Sequence, residues 1–255
     1  MDRDDIIVRT QKLTKHYRGR PALEELDLEL KNGRIIGLVG PNGSGKTTLL
    51  KILAGVLADY SGTAEVLGMR PGLETKSLVS YMPDCSFLED RMTPNDALDL
   101  FADFYSDFDR KRAYEMLLAF RLEPTQRLRD MSKGMREKVQ ITLIMNRAAR
   151  LYLLDEPISG VDPASRQLIL EGILRSYSSD SCLIISTHLI HDIEPVLDEV
   201  VFLDRGQLRL AGNAEDLRAE SGGSIDQLFR SLFQAEAARN WELGAPERPG
   251  FVGRR

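Results

Sequence analysis

A glycine-rich segment followed by a lysine and a threonine is the first part of the sequence that predicts chemistry. Residues 40–47 read GPNGSGKT and match the pattern GxxxxGK[ST] at every defined position. Glycines let backbone N–H groups approach an anion closely, and a helix N-terminus adds partial positive charge. Lys46 is expected to reach the β- and γ-phosphates of a nucleotide, and the Thr47 hydroxyl to hold Mg²⁺. The predicted nucleotide-binding residues are Gly40, Pro41, Asn42, Gly43, Ser44, Gly45, Lys46, Thr47 and Thr48.

Two adjacent carboxylates follow an apolar run later in the chain. Residues 151–157 read LYLLDEP, which predicts a strand that ends at Asp155 and Glu156. Asp155 is predicted to bind Mg²⁺, directly or through water, and Glu156 to polarise the attacking water as a general base. Acidic residues after a strand also serve as helix caps. The catalytic interpretation of this pair is therefore supported by the complete phosphate loop that precedes it in the same chain.

The segments around these groups alternate between strand and helix signals. Residues 34–39 are apolar on both faces and predict a buried strand before the loop, which a helix over about 46–55 follows. The runs 151–154 and 182–186 predict further strands, with a helix over 162–176 between them. Strands that alternate with helices predict a parallel α/β sheet.

Two local signals concern chain turns. Asn32-Gly33 is a strong tight-turn signal and favours a hairpin between the segments on either side of it. Asp162 followed by Pro163 is typical of a capped helix start.

The middle of the chain is predicted to be mostly helical. Apolar side chains recur at helical spacing from Pro94 to about Leu122, and residues 107–109 are expected to divide this stretch into two helices. Packing against a core explains the stripe, and stacking on a ligand is the alternative. The stripe comprises Ala97, Leu98, Phe101, Phe104, Tyr105 and Phe108.

Composition excludes several function classes. The 255 residues carry a formal net charge of −5, which argues against non-specific nucleic-acid binding, where a basic domain is expected. No apolar run approaches the roughly 18 residues that a membrane-spanning helix needs. Cys85 and Cys182 lack CxxC spacing and fit a reducing cytosol. We therefore expect an acidic cytoplasmic protein that would need a partner for any membrane role.

With these motifs in order, the chain resembles the ATP-binding cassette (ABC) ATPases over residues 6–219. Residues 131–135, MSKGM, stand where that family has its LSGGQ signature, and residues 159–162, SGVD, resemble its D-loop. His188 resembles the switch histidine that contacts the γ-phosphate. Tyr17 stands where the family places an aromatic that stacks on adenine, and a tyrosine on a strand face is the alternative.

The resemblance implies a P-loop NTPase fold of the α/β class: a RecA-like sheet core with an antiparallel β subdomain and a helical insert. It places an ABC ATPase domain over residues 1–233 and the insert at about 85–148. The apolar pattern decays after Phe233, and residues 244–255 are rich in Gly, Pro and Arg, so residues 234–255 are predicted to form a flexible tail.

The resemblance also implies how the site works, with ATP and Mg²⁺ as cofactors. Two cassettes face each other head to tail, as a homodimer or a heterodimer, and each ATP lies between the phosphate loop of one and the signature of the other. The binding residues thus implied outside the loop are Tyr17, Ser132, Lys133, Gly134 and Asp162, and the catalytic residues are Glu156, His188 and Lys46.

Such a cassette is the ATP-hydrolysing subunit of an ABC transporter. The resemblance thus implies a protein that is peripheral on the cytoplasmic face of the cell membrane and drives a separately encoded integral membrane permease. The YMPD sequence at 81–84 and the segment 104–109 are similar to cassettes of the bacitracin-resistance and YtrB-like exporter groups, which favours export. The alternatives are a soluble non-transport ABC ATPase and a regulatory module that binds ATP without hydrolysis. The presence of Glu156 and His188 argues against the regulatory module, because both residues are expected to serve hydrolysis.

Two positions depart from the family pattern. Lys133 replaces a glycine of the signature and adds positive charge, while Met135 lacks the usual amide. Asp84 stands where the family usually has a glutamine that contacts Mg²⁺ and the attacking water. An aspartate can still contact Mg²⁺ through water, so the predicted metal ligands are Thr47, Asp155 and Asp84.

A groove over residues 84–99 is the expected docking site for the membrane subunit. Soft or apolar side chains lie near a predicted loop here, and ordinary packing of the helical insert is the alternative. These side chains are Met82, Cys85, Phe87, Leu88 and Met92.

Overall fold

Short strands that are buried on both faces form the centre of the molecule. A computed structural model describes residues 6–233, so the tail predicted at 234–255 lies outside the described residues, as do residues 1–5. In chain order the strands are β1 (Ile6–Tyr17), β2 (Arg20–Lys31), β3 (Ile35–Val39), β4 (Ser61–Val66), β5 (Val79–Met82), β6 (Leu151–Asp155), β7 (Cys182–Thr187), β8 (Glu199–Asp204) and β9 (Gln207–Asn213).

Along the chain, most of the helices follow one strand and precede another. They are α1 (Lys46–Leu53), α2 (Leu73–Lys76), α3 (Pro94–Phe104), α4 (Arg110–Ala119), α5 (Lys133–Met145), α6 (Pro163–Ser176), α7 (Ile190–Ile193) and α8 (Ala214–Ser221). Residues 225–233 are also helical. Among the helices of residues 6–233, none is both long and apolar enough to cross a membrane.

The described strands form two sheets. The larger has the order β5-β6-β7-β3-β8-β9, and all of its pairs are parallel except β8–β9. The smaller is antiparallel with the order β2-β1-β4. Parallel neighbours place the carboxyl ends of β3, β6 and β7 along one edge, where α/β proteins bind ligands. The predicted α/β class with a P-loop sheet core and an antiparallel β subdomain is confirmed.

Two apolar cores cover the two faces of the larger sheet, as alternate residues of β7 illustrate. Leu183 and Ile185 belong to the core that includes α3, α4, α5 and α6. Cys182 and Ile184 belong to the core between the two sheets, which also contains apolar side chains of α1. Successive side chains of a strand point to opposite faces, so the apolar runs of the sequence reflect burial on both sides.

The prediction of a hairpin at Asn32-Gly33 is wrong. Strand β2 pairs with β1, and β3 pairs with β7 and β8 in the other sheet. Because β3 is apolar on both faces, it is stable only at the centre of a sheet covered on both sides. The hairpin that does form joins β1 and β2 through Arg18 and Gly19, both of which have positive φ, as a type I′ turn requires.

The segment between β5 and β6 contains α3, α4 and α5, and the interruption predicted at residues 107–109 is confirmed. Phe101 is buried, and its ring centroid lies 5.2 Å from that of Tyr105 and 5.6 Å from that of Phe108, so the stripe is mainly core. Phe104 is the exception. Its side chain is 75% exposed because it lies on the outer face of α3.

A buried arginine joins this helical segment to the sheet. Arg147 donates to the carbonyl oxygens of Ser77 and Val79 at 3.0 and 2.9 Å. It also donates to both carboxyl oxygens of Asp107 at 3.2 and 3.1 Å, and its guanidinium lies 3.9 Å from the ring centroid of Tyr105. One side chain therefore ties β5 to the loop between α3 and α4.

Replacing this arginine is expected to destabilise the fold. Arg147→Met removes the partner of Asp107 and leaves two carbonyl groups unbonded, so urea denaturation should show a loss of about 3 kcal/mol in the free energy of unfolding. Arg110→Met is the matched control, since Arg110 pairs with Asp99 on the surface of the same helical segment, and it should cost less than about 1 kcal/mol. Equal losses would contradict the assigned role of Arg147.

Candidate active site

The glycine-rich loop connects the end of β3 to the start of α1, as predicted. A Cβ atom on Gly40 would lie 2.2 Å from the carbonyl oxygen of Leu203. One on Gly45, where φ is +108°, would lie 2.5 Å from the carbonyl oxygen of Ala22. Both contacts are with backbone and cannot relax easily, so these two positions accept only glycine.

The loop lysine is buried and faces carboxylates. Lys46 Nζ donates to the carbonyl oxygens of Gly40 and Pro41 at 2.8 and 3.1 Å. Burial lowers the pKa of Lys46, whereas the charges of Glu156 and Asp155 raise it. The ammonium therefore lies between the loop backbone and the acidic pair, where the phosphates of a nucleotide would meet it.

Asp155 ends β6 with its residue 0% exposed. Its Oδ1 accepts a hydrogen bond of 2.5 Å from Ser186 Oγ. Its Oδ2 is buried and accepts no hydrogen bond of ordinary geometry from the described residues. Burial raises the pKa of Asp155, the hydroxyls of Ser186 and Thr47 lower it, and the charges of Asp84 and Glu156 raise it.

The second carboxylate and the predicted switch histidine are in direct contact. His188 Nδ1 lies 2.9 Å from Oε2 and 3.1 Å from Oε1 of Glu156. Glu156 has a φ of +52°, a conformation that costs a non-glycine residue of order 1 kcal/mol or more. Its N–H donates to Ser186 Oγ at 3.1 Å and to the Ser186 carbonyl oxygen at 3.0 Å, which stabilises that turn. The backbone thus turns the Glu156 carboxylate toward His188.

A cavity of about 280 Å³ lies at this edge of the sheet. It brings together most of the loop with Asp84 and Glu156, which sequence analysis assigned to the site. Ala22 of β2 also lines it, and no sequence signal pointed to that residue. Its other lining residues are Asn42, Gly43, Ser44, Gly45, Lys46, Thr47 and Thr48. Asp155 is buried and does not line the cavity, although it interacts with Thr47, which does. Gly40 and Pro41 contribute carbonyl groups to Lys46.

Tyr17 ends β1 and is not part of the cavity lining. Its side chain is 46% exposed, and the Lys15 ammonium lies 5.1 Å from its ring centroid. An exposed ring at a strand end satisfies both interpretations of this residue, so stacking on adenine stays a prediction.

The signature residues form a second group, outside that cavity and next to the D-loop. Ser132 caps α5 by accepting from the Met135 N–H at 3.3 Å, and a Cβ on Gly134 would lie 3.3 Å from Val161. Lys133 extends over Gly160, since a Cβ there would lie 2.5 Å from its Nζ. The single chain therefore separates the signature from the phosphate loop.

Asp162 caps α6, as its position before Pro163 predicted. Its carboxylate accepts from the Ser165 N–H at 3.0 Å. That backbone hydrogen bond, with one from the Ser165 side chain, holds the pKa of Asp162 below its usual value. Its assignment to nucleotide binding stays a prediction.

Glu137 is a buried carboxylate that sequence analysis missed. It lies one turn after Lys133 on α5, with 3.6 Å between Lys133 Nζ and its Oε1. Burial raises the pKa of Glu137 to about 7, although Lys133 lowers it in part. A charged residue on a helix ordinarily indicates a solvated face, so nothing in the sequence marked this one as buried.

The raised pKa of Glu137 predicts a pH-dependent stability. The folded state binds a proton that the unfolded state releases near pH 4.5, so stability decreases as pH rises from 4.5 to 7. Glu137→Gln lacks this loss and should therefore be more stable than wild type by about 1 to 3 kcal/mol at pH 8, with no gain at pH 4.5. Urea denaturation at both pH values checks this, and a pH-independent difference would contradict it.

Comparisons with known proteins agree with this geometry. The sequence matches the family described as ABC transporter over residues 23–159, more than half of the chain. An uncharacterised ABC transporter ATP-binding protein of Synechocystis sp. is 31% identical over 232 residues, which are 85% of this chain and 66% of that protein. The ABC transporter ATP-binding protein YtrB of Bacillus subtilis is 30% identical over 219 residues, 84% of this chain and 74% of YtrB. A solved structure of the ATP-binding subunit of an ABC transporter is 28% identical with a TM-score of 0.78, covering 89% of this chain and 99% of that one. The chain therefore belongs to the ABC transporter family, as one of its ATP-binding cassette ATPases.

Proposed function

We propose that this cassette hydrolyses ATP at the cavity beside the phosphate loop and, as a dimer around two ATP molecules, drives separate membrane subunits, in the direction of export. The observation that carries the proposal is the convergence of Lys46, Thr47, Asp84 and Glu156 on one cavity, with His188 in contact with Glu156. The resemblance of the segments 81–84 and 104–109 to YtrB-like exporter cassettes supports the direction of export. The ATPase would lie on the cytoplasmic face of the membrane.

The phosphates of ATP bind at the glycine-rich loop. Backbone N–H groups at the start of α1 point toward an anion there, and the helix dipole favours negative charge. Lys46 adds a full positive charge, which its contact with two carbonyl groups holds in place. Because the protein carries a net charge of −5, these local groups rather than the overall field attract the nucleotide.

Mg²⁺ fits the oxygen donors of Asp155 and Thr47. Asp155 Oδ2 is buried and accepts no hydrogen bond of ordinary geometry from the part of the chain that the structure describes, and the Thr47 hydroxyl faces the same carboxyl group. Mg²⁺ prefers oxygen ligands and is usually held by one or two carboxylates together with substrate phosphates and water. Thr47 and Asp155 would hold the ion, with Asp84 acting through water. The ion would neutralise negative charge on the phosphate oxygens.

Glu156 supplies the general base. A water molecule in line with the γ-phosphate transfers a proton to the Glu156 carboxylate as its oxygen attacks phosphorus, and the phosphate–ADP bond breaks. His188 orients that carboxylate through Nδ1, at 2.9 Å from Oε2. The second ring nitrogen, Nε2, is then available to the γ-phosphate, as the family resemblance implies.

A second cassette completes the site. In one chain the signature at Ser132, Lys133 and Gly134 does not line the cavity that holds the phosphate loop. A head-to-tail pair would bring the N-terminus of α5 from one cassette to the ATP bound by the other, across a two-fold interface. ATP then stabilises the closed pair, and hydrolysis removes the γ-phosphate contacts that favoured it.

Removing the proposed base tests the mechanism. Glu156→Gln keeps the size of the side chain but cannot accept the proton, so ATP turnover should fall by at least about 100-fold while ATP binding persists. Glu171→Gln is the matched control, since Glu171 lies on the exposed side of α6 and accepts a hydrogen bond from Gln167, and its turnover should equal that of wild type. Phosphate release measures the rate. Wild-type turnover in Glu156→Gln would show that the base has been assigned to the wrong residue.

The membrane subunit is proposed to dock in a groove of about 600 Å³ between the end of α1, strand β5 and helix α3. Phe87 and Pro83 line it, whereas Met82 is buried and Leu88 and Met92 pack against the core. For those three residues the packing interpretation is correct. Val56 lines the groove with its apolar side chain exposed, and Lys51 and Lys76 give it positive charge. An amphipathic helix with an acidic end fits this surface.

A charge placed in the groove tests this docking site. Phe87→Asp should reduce co-purification of the membrane subunit in detergent, because it buries a carboxylate against the apolar face of the partner. Phe104→Asp is the matched control, since Phe104 lies on the outer face of α3 outside the groove, and it should leave the complex intact. The ATP turnover of each isolated variant should be unchanged. Retention of the complex by Phe87→Asp would contradict the docking site.

A further inference from the structure

We infer that Ser186, a residue of β7 with no assigned role, is a positioning residue that fixes both carboxylates of the acidic pair and thereby reserves Asp155 Oδ2 for Mg²⁺. This inference rests on the magnesium site proposed above. Ser186 would hold the ligand oxygen in position before Mg²⁺ binds.

Sheet register places Ser186 at the centre of the site. In the parallel pair β6–β7, Ser186 lies directly opposite Asp155. On its other side, β7 pairs with β3, the strand that leads into the phosphate loop, and Ser186 lies opposite Leu38. The residue is 0% exposed, so its hydroxyl must be satisfied by protein groups at this position.

The direction of each hydrogen bond around the hydroxyl follows from its chemistry. A backbone N–H can only donate, so at 3.1 Å the Glu156 N–H donates to Ser186 Oγ. The single hydroxyl proton is then left to donate to Asp155 Oδ1, at 2.5 Å. A polarised chain runs from the Glu156 amide through the Ser186 hydroxyl to the Asp155 carboxylate, and each bond strengthens the next.

Both carboxylates are constrained as a result. With Oδ1 held by Ser186, Asp155 can rotate little, and within residues 6–233 Oδ2 is the carboxyl oxygen that accepts no hydrogen bond of ordinary geometry. The Glu156 N–H is shared between Oγ and the carbonyl oxygen of Ser186, which holds Glu156 at a φ of +52°. Ser186 therefore acts on the metal ligand and on the general base without touching nucleotide, as partners of metal ligands commonly do.

The same sheet offers a matched control. Ser80 of β5 is also 0% exposed, and its hydroxyl donates to the carbonyl oxygen of Ile144 at 2.9 Å, with no contact to either carboxylate. Ser80→Ala and Ser186→Ala therefore each remove one buried, hydrogen-bonded hydroxyl from a strand of the larger sheet. A purely structural role would give the two variants similar behaviour.

The experiment measures nucleotide affinity with and without the ion, so it does not depend on turnover. A fluorescent ATP analogue is titrated into the full chain in Mg²⁺ and again in EDTA, and the ratio of the two dissociation constants gives the affinity gained from Mg²⁺. Ser186→Ala should lose about 10- to 100-fold of that gain with its affinity in EDTA unchanged. Ser80→Ala should match wild type in both conditions.

A second variant separates hydrogen bonding from packing. Ser186→Cys nearly preserves side-chain volume and offers only a weak S–H donor, so it should fold and still lose part of the gain. If wild type gains affinity from Mg²⁺ and both Ser186 variants retain that gain, Ser186 is not a positioning residue. Equal losses in Ser186→Ala and Ser80→Ala also overturn the inference. If wild type itself gains nothing from Mg²⁺, the proposed magnesium site fails, and the inference fails with it.

Discussion

Charge compensation at the carboxyl edge of the larger sheet is the constraint on which the site depends. Asp155 and Glu156 are adjacent carboxylates, and burial raises the pKa of Asp155. Two like charges in a poorly hydrated place destabilise the fold unless opposite charge or hydrogen-bond donors face them. Lys46 supplies the charge, and the hydroxyls of Ser186 and Thr47 supply donors. In the proposed mechanism, the negative charge that remains would attract Mg²⁺ to the site.

The sheet can hold these groups in register because both of its faces are covered. A slip of one residue in β7 would exchange the side chains of its two faces between the two cores and would move Ser186 away from Asp155. Leu183 and Ile185 face one core, and Cys182 and Ile184 face the other, so the slip would disturb the close packing of side chains in both cores. The precision of the site therefore comes from the burial of the strands that end there.

Local patterns in the sequence predicted the parts of the site that depend on neighbours along the chain. The glycine-rich loop, the strand that ends at Asp155 and the helix capped by Asp162 each follow from a few consecutive residues. The true hairpin, the buried state of Glu137 and the role of Ser186 depend on which strands and helices come together. Ser186 lies 31 positions from Asp155, and only the register of β6 with β7 makes them neighbours. A polar residue inside an apolar strand carried no signal of that contact.

The geometry of the signature bears on how two cassettes would communicate. In the proposed dimer, the N-terminus of α5 faces the ATP of the other subunit, and the Ser132 hydroxyl already accepts one N–H of its own helix. The other N–H groups of the first turn and the Lys133 ammonium are then the groups available to a phosphate. Lys133 also lies over Gly160 of the D-loop, two residues before the Asp162 cap of α6. In the proposed dimer, a phosphate bound by Lys133 would therefore compete with Glu137 of the same helix, whose Oε1 lies 3.6 Å from the ammonium.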